Sequence, residues 1–170
     1  MPALLRSSPI APAHRLNHLM ALYAENYSRF ERLFQWHRHP TRHWCSSLDD
    51  GLDIHLDVLE QHRYTSMLRL SYDLPDPLTG EPDPSAFLRL YHDARLLEAT
   101  HCYVGRRWQD VLGLHPTPAT VLGHRLRMNT FLGKWLEFLA EQGHSPFTLK
   151  ARSVWGQNRQ QEKISIEQSS

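Results

Sequence analysis

From His14 onward, apolar residues recur at steps of three and four: Leu16, Leu19, Met20, Tyr23, Tyr27, Phe30 and Phe34. That period marks one face of an α-helix. Asn17 is a candidate N-cap if the helix starts slightly later. The helix is expected to stop before "HRHPTRH", because Pro40 cannot continue it and pushes His39 out of helical geometry. The period then changes to two. In "DDGLDIHLDVLE" the residues Leu52, Ile54, Leu56 and Val58 alternate with Asp53, His55 and Asp57. Such alternation predicts a strand with one face on a core and the other in water. Asp50-Gly51 is a hairpin signal, so residues 42–47 are expected to form the preceding strand.

Residues 64–73 continue the alternation through Tyr64, Leu68, Leu70 and Tyr72. Matching the apolar faces sets Val58 against Tyr64 and Asp53 against Arg69, an exposed cross-strand pair worth under ~1 kcal/mol. Residues 73–85 hold four prolines and read as a loop. "AFLRLY" and "RLLEATHCYV" supply two more strands around a Tyr91-His92-Asp93 tip. Residues 105–118 are irregular, with room for a helical turn. A second helix is expected from about Val121, through Met128, Phe131, Leu132, Trp135, Leu136 and Leu139, with Gly143 as its C-terminal cap. The order is helix, about five strands, helix. Hairpins between successive strands make an antiparallel sheet, and two apolar helices need its apolar face as cover. The expectation is a two-layer α+β domain over residues 14–145. A flexible arm (1–13) precedes it and a polar, mostly disordered tail (146–170) follows.

Composition narrows the function classes. Lys and Arg number 19 against 18 Asp and Glu, so bulk charge gives no reason to expect nucleic-acid or acidic-lipid binding. No run approaches a membrane span, and the N-terminus lacks a continuous apolar signal region. Two cysteines, Cys45 and Cys102, do not make a disulfide framework, which points to a reducing, cytoplasmic setting. Histidine is unusually frequent, at 12 residues. With only 8 glycines and no G-x-x-x-x-G-K, G-x-G-x-x-G, G-x-S-x-G or H-E-x-x-H, the common phosphate-cradle and hydrolase motifs are missing.

Three constellations carry candidate chemistry. Tyr91, His92 and Asp93 combine a hydroxyl, an imidazole and a carboxylate. Adjacent strand residues point to opposite faces, so the three converge only at a sharp turn. The favoured reading is a hairpin tip, with Asp93 accepting from turn backbone and His92 exposed; His92 and Asp93 remain the catalytic candidates. His37, His39, His43 and Cys45 are competent zinc ligands, but H-x-H-x3-H-x-C is not a familiar zinc spacing, and a solvated loop is favoured. Arg38, Arg42, Trp36 and Trp44 in the same loop could touch RNA or a nucleotide by charge and stacking. Asp53, His55 and Asp57 form a ladder read simply as the wet strand face. Cys102 reads as a small buried hydrophobe.

The stretches "LMALYAENYSRFERLF", "RYTSML", "LRLYHDA" and "NTFLGKWLEFL" resemble the YqiB-like family, uncharacterised cytoplasmic proteins of Gram-negative bacteria with a domain of unknown function. The resemblance spans about residues 19–143 and is most specific at "LRLYHDA". It implies a single small domain and supplies no activity. The histidine-rich loop, the arm and the tail fall outside it.

The function expected is a non-enzymatic binding or accessory protein, with a recognition patch of Arg63, Arg89, Tyr91 and His92. The rival is a small hydrolase or transferase using Arg89, His92 and Asp93. A third reading is RNA or nucleotide binding. No cofactor or membrane is called for. The partner expected is a protein, a small ligand or a second copy in a homodimer, rather than nucleic acid.

Overall fold

The computed structural model describes residues 12–38, 41–49, 51–74, 77–78, 80, 85–103 and 115–152. Helix α1 runs Pro12–Phe34 and is followed by a 3₁₀ turn, Trp36–Arg38. Four long or short strands and a fifth follow: β1 His43–Ser46, β2 Ile54–Gln61, β3 Thr65–Tyr72, β4 Ser85–Tyr91 and β5 Leu96–Tyr103. Helix α2 is Pro118–Gln142, and β6, Leu149–Ala151, comes last. The six strands form one antiparallel sheet in the order β5-β4-β3-β2-β1-β6. The two helices pack on each other and on the sheet near β5. This is the two-layer α+β arrangement that the periodicities predicted, with one strand more. The arm before Pro12, the helical turn expected within residues 105–114, and the tail beyond Arg152 lie outside the described residues.

The core lies between the helices and the even-numbered face of β2, β3 and β4. Leu56, Leu68, Leu70, Leu88, Leu90 and Leu132 are completely or almost completely enclosed. Each such side chain contributes about 1.5–3 kcal/mol relative to exposure. The α1 stripe is rotated from the expected one: Leu22, Asn26 and Leu33 join Leu19, Tyr23 and Phe30 inside, while Leu16 and Met20 are exposed. Asn17 lies within α1 and caps nothing, because the helix begins at Pro12. Helix α2 starts earlier than expected. Thr117 is its N-cap, accepting from the Thr120 N–H, and Pro118 takes the first turn, where its missing N–H is harmless. Its end is as expected. Gly143, at φ 103°, donates to Ala140, and His144 donates to Leu139, which together make a Schellman cap.

Three local expectations are corrected. Arg69 stands opposite Asp57, not Asp53, so the β2–β3 register is shifted by four residues. A tight turn with the His62 N–H donating to the Thr65 carbonyl lets β2 run on to Gln61, and a bulge at Leu59 absorbs the extra residue. An even shift leaves every side chain on its expected face, which is why alternation alone could not detect it. Tyr64 therefore sits beyond the strand, 55% exposed, under the Arg63 guanidinium at 5.1 Å. Third, the β1–β2 connection is not a tight turn. It spans residues 47–53, and Gly51 is absent from the positive-φ residues; Asp50 lies outside the described residues. Strand β6 was not anticipated at all.

Candidate functional site

The Tyr-His-Asp run sits where β4 turns into β5, as residues 91–95. The structure sends its members in different directions. Tyr91 donates to Glu98 Oε2 at 3.1 Å. His92 is half-buried rather than exposed. Its Nε2 is 2.9 Å from Ser66 Oγ, its ring lies 6.1 Å from that of Trp36, and its N–H donates to the Tyr64 carbonyl. Asp93 accepts from the Ala94 N–H at 2.9 Å, the local turn bond expected of it. The Ser66–His92 pair has nucleophile-and-base geometry, but Ser66 has no exposed surface to offer a substrate.

The residues expected to form a recognition patch share one end of the sheet but not one face of it. Arg89 is exposed on the odd-numbered face of β4, with its Nε 3.3 Å from Met67 Sδ. Arg63 sits in the adjacent β2–β3 turn, at the same end of the sheet, with its guanidinium over the Tyr64 ring. His92 turns toward the helix side. Arg89, His92 and Asp93 therefore do not converge.

The metal candidates are also apart among the described residues. His37 faces Glu31 at 3.3 Å, His43 faces Asp57 at 2.8 Å, and Cys45 contacts Ser47 at 3.4 Å. His39 lies outside the described residues. No group of three or more His, Cys, Asp or Glu among the described residues is arranged to hold a metal ion. Trp36 and Trp44 are 3% and 1% exposed and meet edge-to-face, so neither offers a ring for base stacking. Both cysteines are free, and burial pushes the Cys102 thiol up to about 12, consistent with a packing role.

The ladder on β2 is not a wet face. His55 and Asp57 are both buried. Asp57 takes two bonds from Arg69, at 2.8 and 3.2 Å, and one from His43 Nδ1. Burial would raise its carboxyl, but these bonds outweigh burial and hold it below the ordinary range. His55 accepts from Arg152 at Nδ1, 3.3 Å, because a guanidinium can only donate. Its Nε2 is 3.5 Å from Asp73. Long side chains from β1, β3 and the end of β6 thus roof the odd-numbered face.

Two further arrangements were missed in the sequence. The first is a polar clamp along β5. The Glu98 carboxylate, 6% exposed, receives Tyr23 at 3.2 Å, Tyr91 at 3.1 Å and Arg125 at 3.1 Å. Burial first, and then the Glu98 charge, push the Tyr23 phenol up to about 12. Beside it the Asn129 side chain accepts from the Ala99 N–H at 2.8 Å and donates to the Arg125 carbonyl at 2.9 Å. Asn26 reaches from α1 to the Asn129 carbonyl at 2.9 Å. The helices meet closely there. A Cβ on Gly133 would lie 2.8 Å from Asn26 Oδ1. The lone Glu in the apolar run "RLLEATHCYV" was the available signal for this clamp.

The second is a groove of about 590 Å³ between the C-terminal half of α1 and the hairpin tip. Tyr27, Ser28, Glu31, Arg32 and Gln35 form one wall, His37 the rim, and Ala94 and Arg95 the other wall. The Arg95 charge is felt at the Tyr27 phenol, which burial and Glu31 nevertheless push upward. Among the described residues, Arg32 bonds the Ser28 carbonyl within its own helix. On its other side Arg32 also lines a space of about 500 Å³ between α1 and α2. There Arg29 is already bridged by Glu25 and Glu137.

The chain belongs to the family described as Protein of unknown function (DUF1249), whose model matches residues 29–145. That span holds the hairpin tip, Asn129, Gly133 and most of the groove. No curated protein and no solved structure matches the chain.

Proposed function

We propose that the protein is a non-enzymatic binding or accessory protein of the bacterial cytoplasm, and that the groove between α1 and the β4–β5 tip is its recognition surface. One observation carries this reading. Tyr91, His92 and Asp93 are taken up by bonds inside the fold, while the next residue but one, Arg95, faces across the groove toward Tyr27 with no ion-pair partner among the described residues. Among the described residues no helix is long and apolar enough to cross a membrane, which fits this setting. Native mass spectrometry of gently purified full-length protein tests it. Wild type is expected to retain a ligand or partner that Arg95→Asn loses. Equal retention by both proteins would overturn it.

A hydrolase or transferase reading is favoured by one geometry. His43 Nδ1 is fixed by the buried Asp57 at 2.8 Å, and the His43 side chain is half-exposed. A carboxylate-oriented imidazole open to solvent is the arrangement of a general base. Turnover in a broad phosphoesterase and thioesterase screen, lost in His43→Ala, would establish it in place of the binding reading.

A further inference from the structure

Among the described residues, only two that are not glycine have positive φ, and both line the groove. Gln35 has φ 42° and Arg95 has φ 53°. Gln35 ends α1, its N–H donating to the Glu31 carbonyl in a left-handed cap. Arg95 closes the β4–β5 hairpin. Both positions ordinarily go to Gly or Asn, which enter the left-handed region with least strain. Two long polar side chains held there spend stability on reach into one space. Strain of this kind gathers where a ligand is held.

The groups lining the space agree. Arg32 and Arg95 stand on opposite walls, and neither is in an ion pair among the described residues. Among the described residues the Tyr27 and Ser28 hydroxyls have no side-chain partner. The one carboxylate among the described lining residues, Glu31, is 3.3 Å from His37 at the rim. Donors thus outnumber acceptors, and positive charge outnumbers negative. A volume of about 590 Å³ lies within the span of small-molecule sites. The missing partner is a small group rich in acceptors, carrying more than one negative charge.

We infer that this groove binds a phosphomonoester, its phosphoryl oxygens held between the Arg32 and Arg95 guanidiniums with Tyr27 and Ser28 as neutral donors. Guanidinium matches phosphate geometry through paired N–H groups, which an ammonium would not. The inference rests on the groove being the recognition surface and names what that surface recognises.

Amide-resolved NMR titration of the full chain tests it, with inorganic phosphate and adenosine monophosphate as probes and acetate as the singly charged control. Phosphate and the monophosphate are expected to shift the amides of Ser28, Gln35 and Arg95, and acetate to do so at least about tenfold more weakly. Arg32→Gln and Arg95→Gly should each weaken phosphate binding by roughly tenfold or more. Arg95→Gly should at the same time keep or raise the melting midpoint, by about 1–3 °C, because relief of left-handed strain exceeds the added chain entropy. That combination separates a binding role from a structural one, since a structural arginine would lower the midpoint when removed. No phosphate shifts at the groove, equal acetate binding, or undiminished binding by Arg95→Gly would each overturn the inference. If phosphate fails while wild type still carries a native adduct that Arg95→Asn loses, the phosphate assignment falls and the groove stands. If adducts are equal in both, the groove falls as well.

Discussion

Tyr23 and Tyr27 lie one helical turn apart on α1, and both phenols are pushed upward by burial. Their surroundings differ in one respect. Tyr23 donates to Glu98, inside a clamp whose donors and acceptors answer one another. Tyr27 faces a groove whose described lining sets two arginines against one carboxylate. The same side chain, on the same helix, is structural at one turn and available at the next. Satisfied polar groups hold a fold together, and unsatisfied ones at a surface invite a partner. The space between α1 and α2 shows that charge alone is not the criterion, because Arg29 there is already bridged by Glu25 and Glu137.

If this distinction holds, changes in the clamp lower stability and changes in the groove do not. The largest effect is expected at Asn129. Asn129→Ala removes the acceptor for the Ala99 N–H and leaves that donor buried, a loss of about 2–4 kcal/mol by denaturant unfolding. Gly133→Ala is next. The added methyl meets Asn26 Oδ1, which cannot swing away while its amide is bonded to Asn129. Overpacking of about 1–3 kcal/mol outweighs the gain of about 1 kcal/mol in helix propensity, for a net loss near 1 kcal/mol. The paired tyrosines give the sharpest contrast. Tyr23→Phe should lose about 1 kcal/mol, and Tyr27→Phe should stay within about 0.5 kcal/mol of wild type. Equal losses at both would erase the comparison.

The smallest expected effect is on pH dependence. Burial lowers His144 in the fold, with Asp53 opposing, and burial likewise lowers His101 and His124, with positive neighbours adding to it. The unfolded chain then takes up protons first as pH falls. The contribution is present above about pH 6.5, the ordinary histidine value, and is lost as pH falls through the lowered folded values. A melting midpoint that does not fall between about pH 7 and 5 would contradict this sign. His144→Gln should make the slope shallower.

Much of the fold was legible because the periods of 3.6 and 2 survive in α1, α2 and the five longer strands. Side-chain parity was legible too, but register was not, since a shift of four residues preserves it. Strand β6 left no trace, as Leu149–Ala151 is too short to alternate. The tip was readable as a turn, because Asp93 bonds its own neighbour. The groove was not, because it joins residues 24–37 to 94–95 and depends on backbone angles that no residue there advertises. His55 and Asp57 misled for a related reason. Polarity marked their face correctly, but their burial comes from Arg69, Arg152 and His43, whose approach is a matter of tertiary packing.

Asn129 has a consequence for how copies of this chain behave toward one another. Strand β5 ends the sheet, and an end strand is a template for another strand to add. The Asn129 amide occupies the Ala99 N–H at the middle of β5, and α2 stands where an incoming strand would lie. The other end is β6, only three residues long. In a chain deprived of Asn129, α2 still covers this edge but is held to it less firmly, and each parting of α2 from β5 bares an unpaired strand, so turbidity is expected before the bulk of the protein has melted.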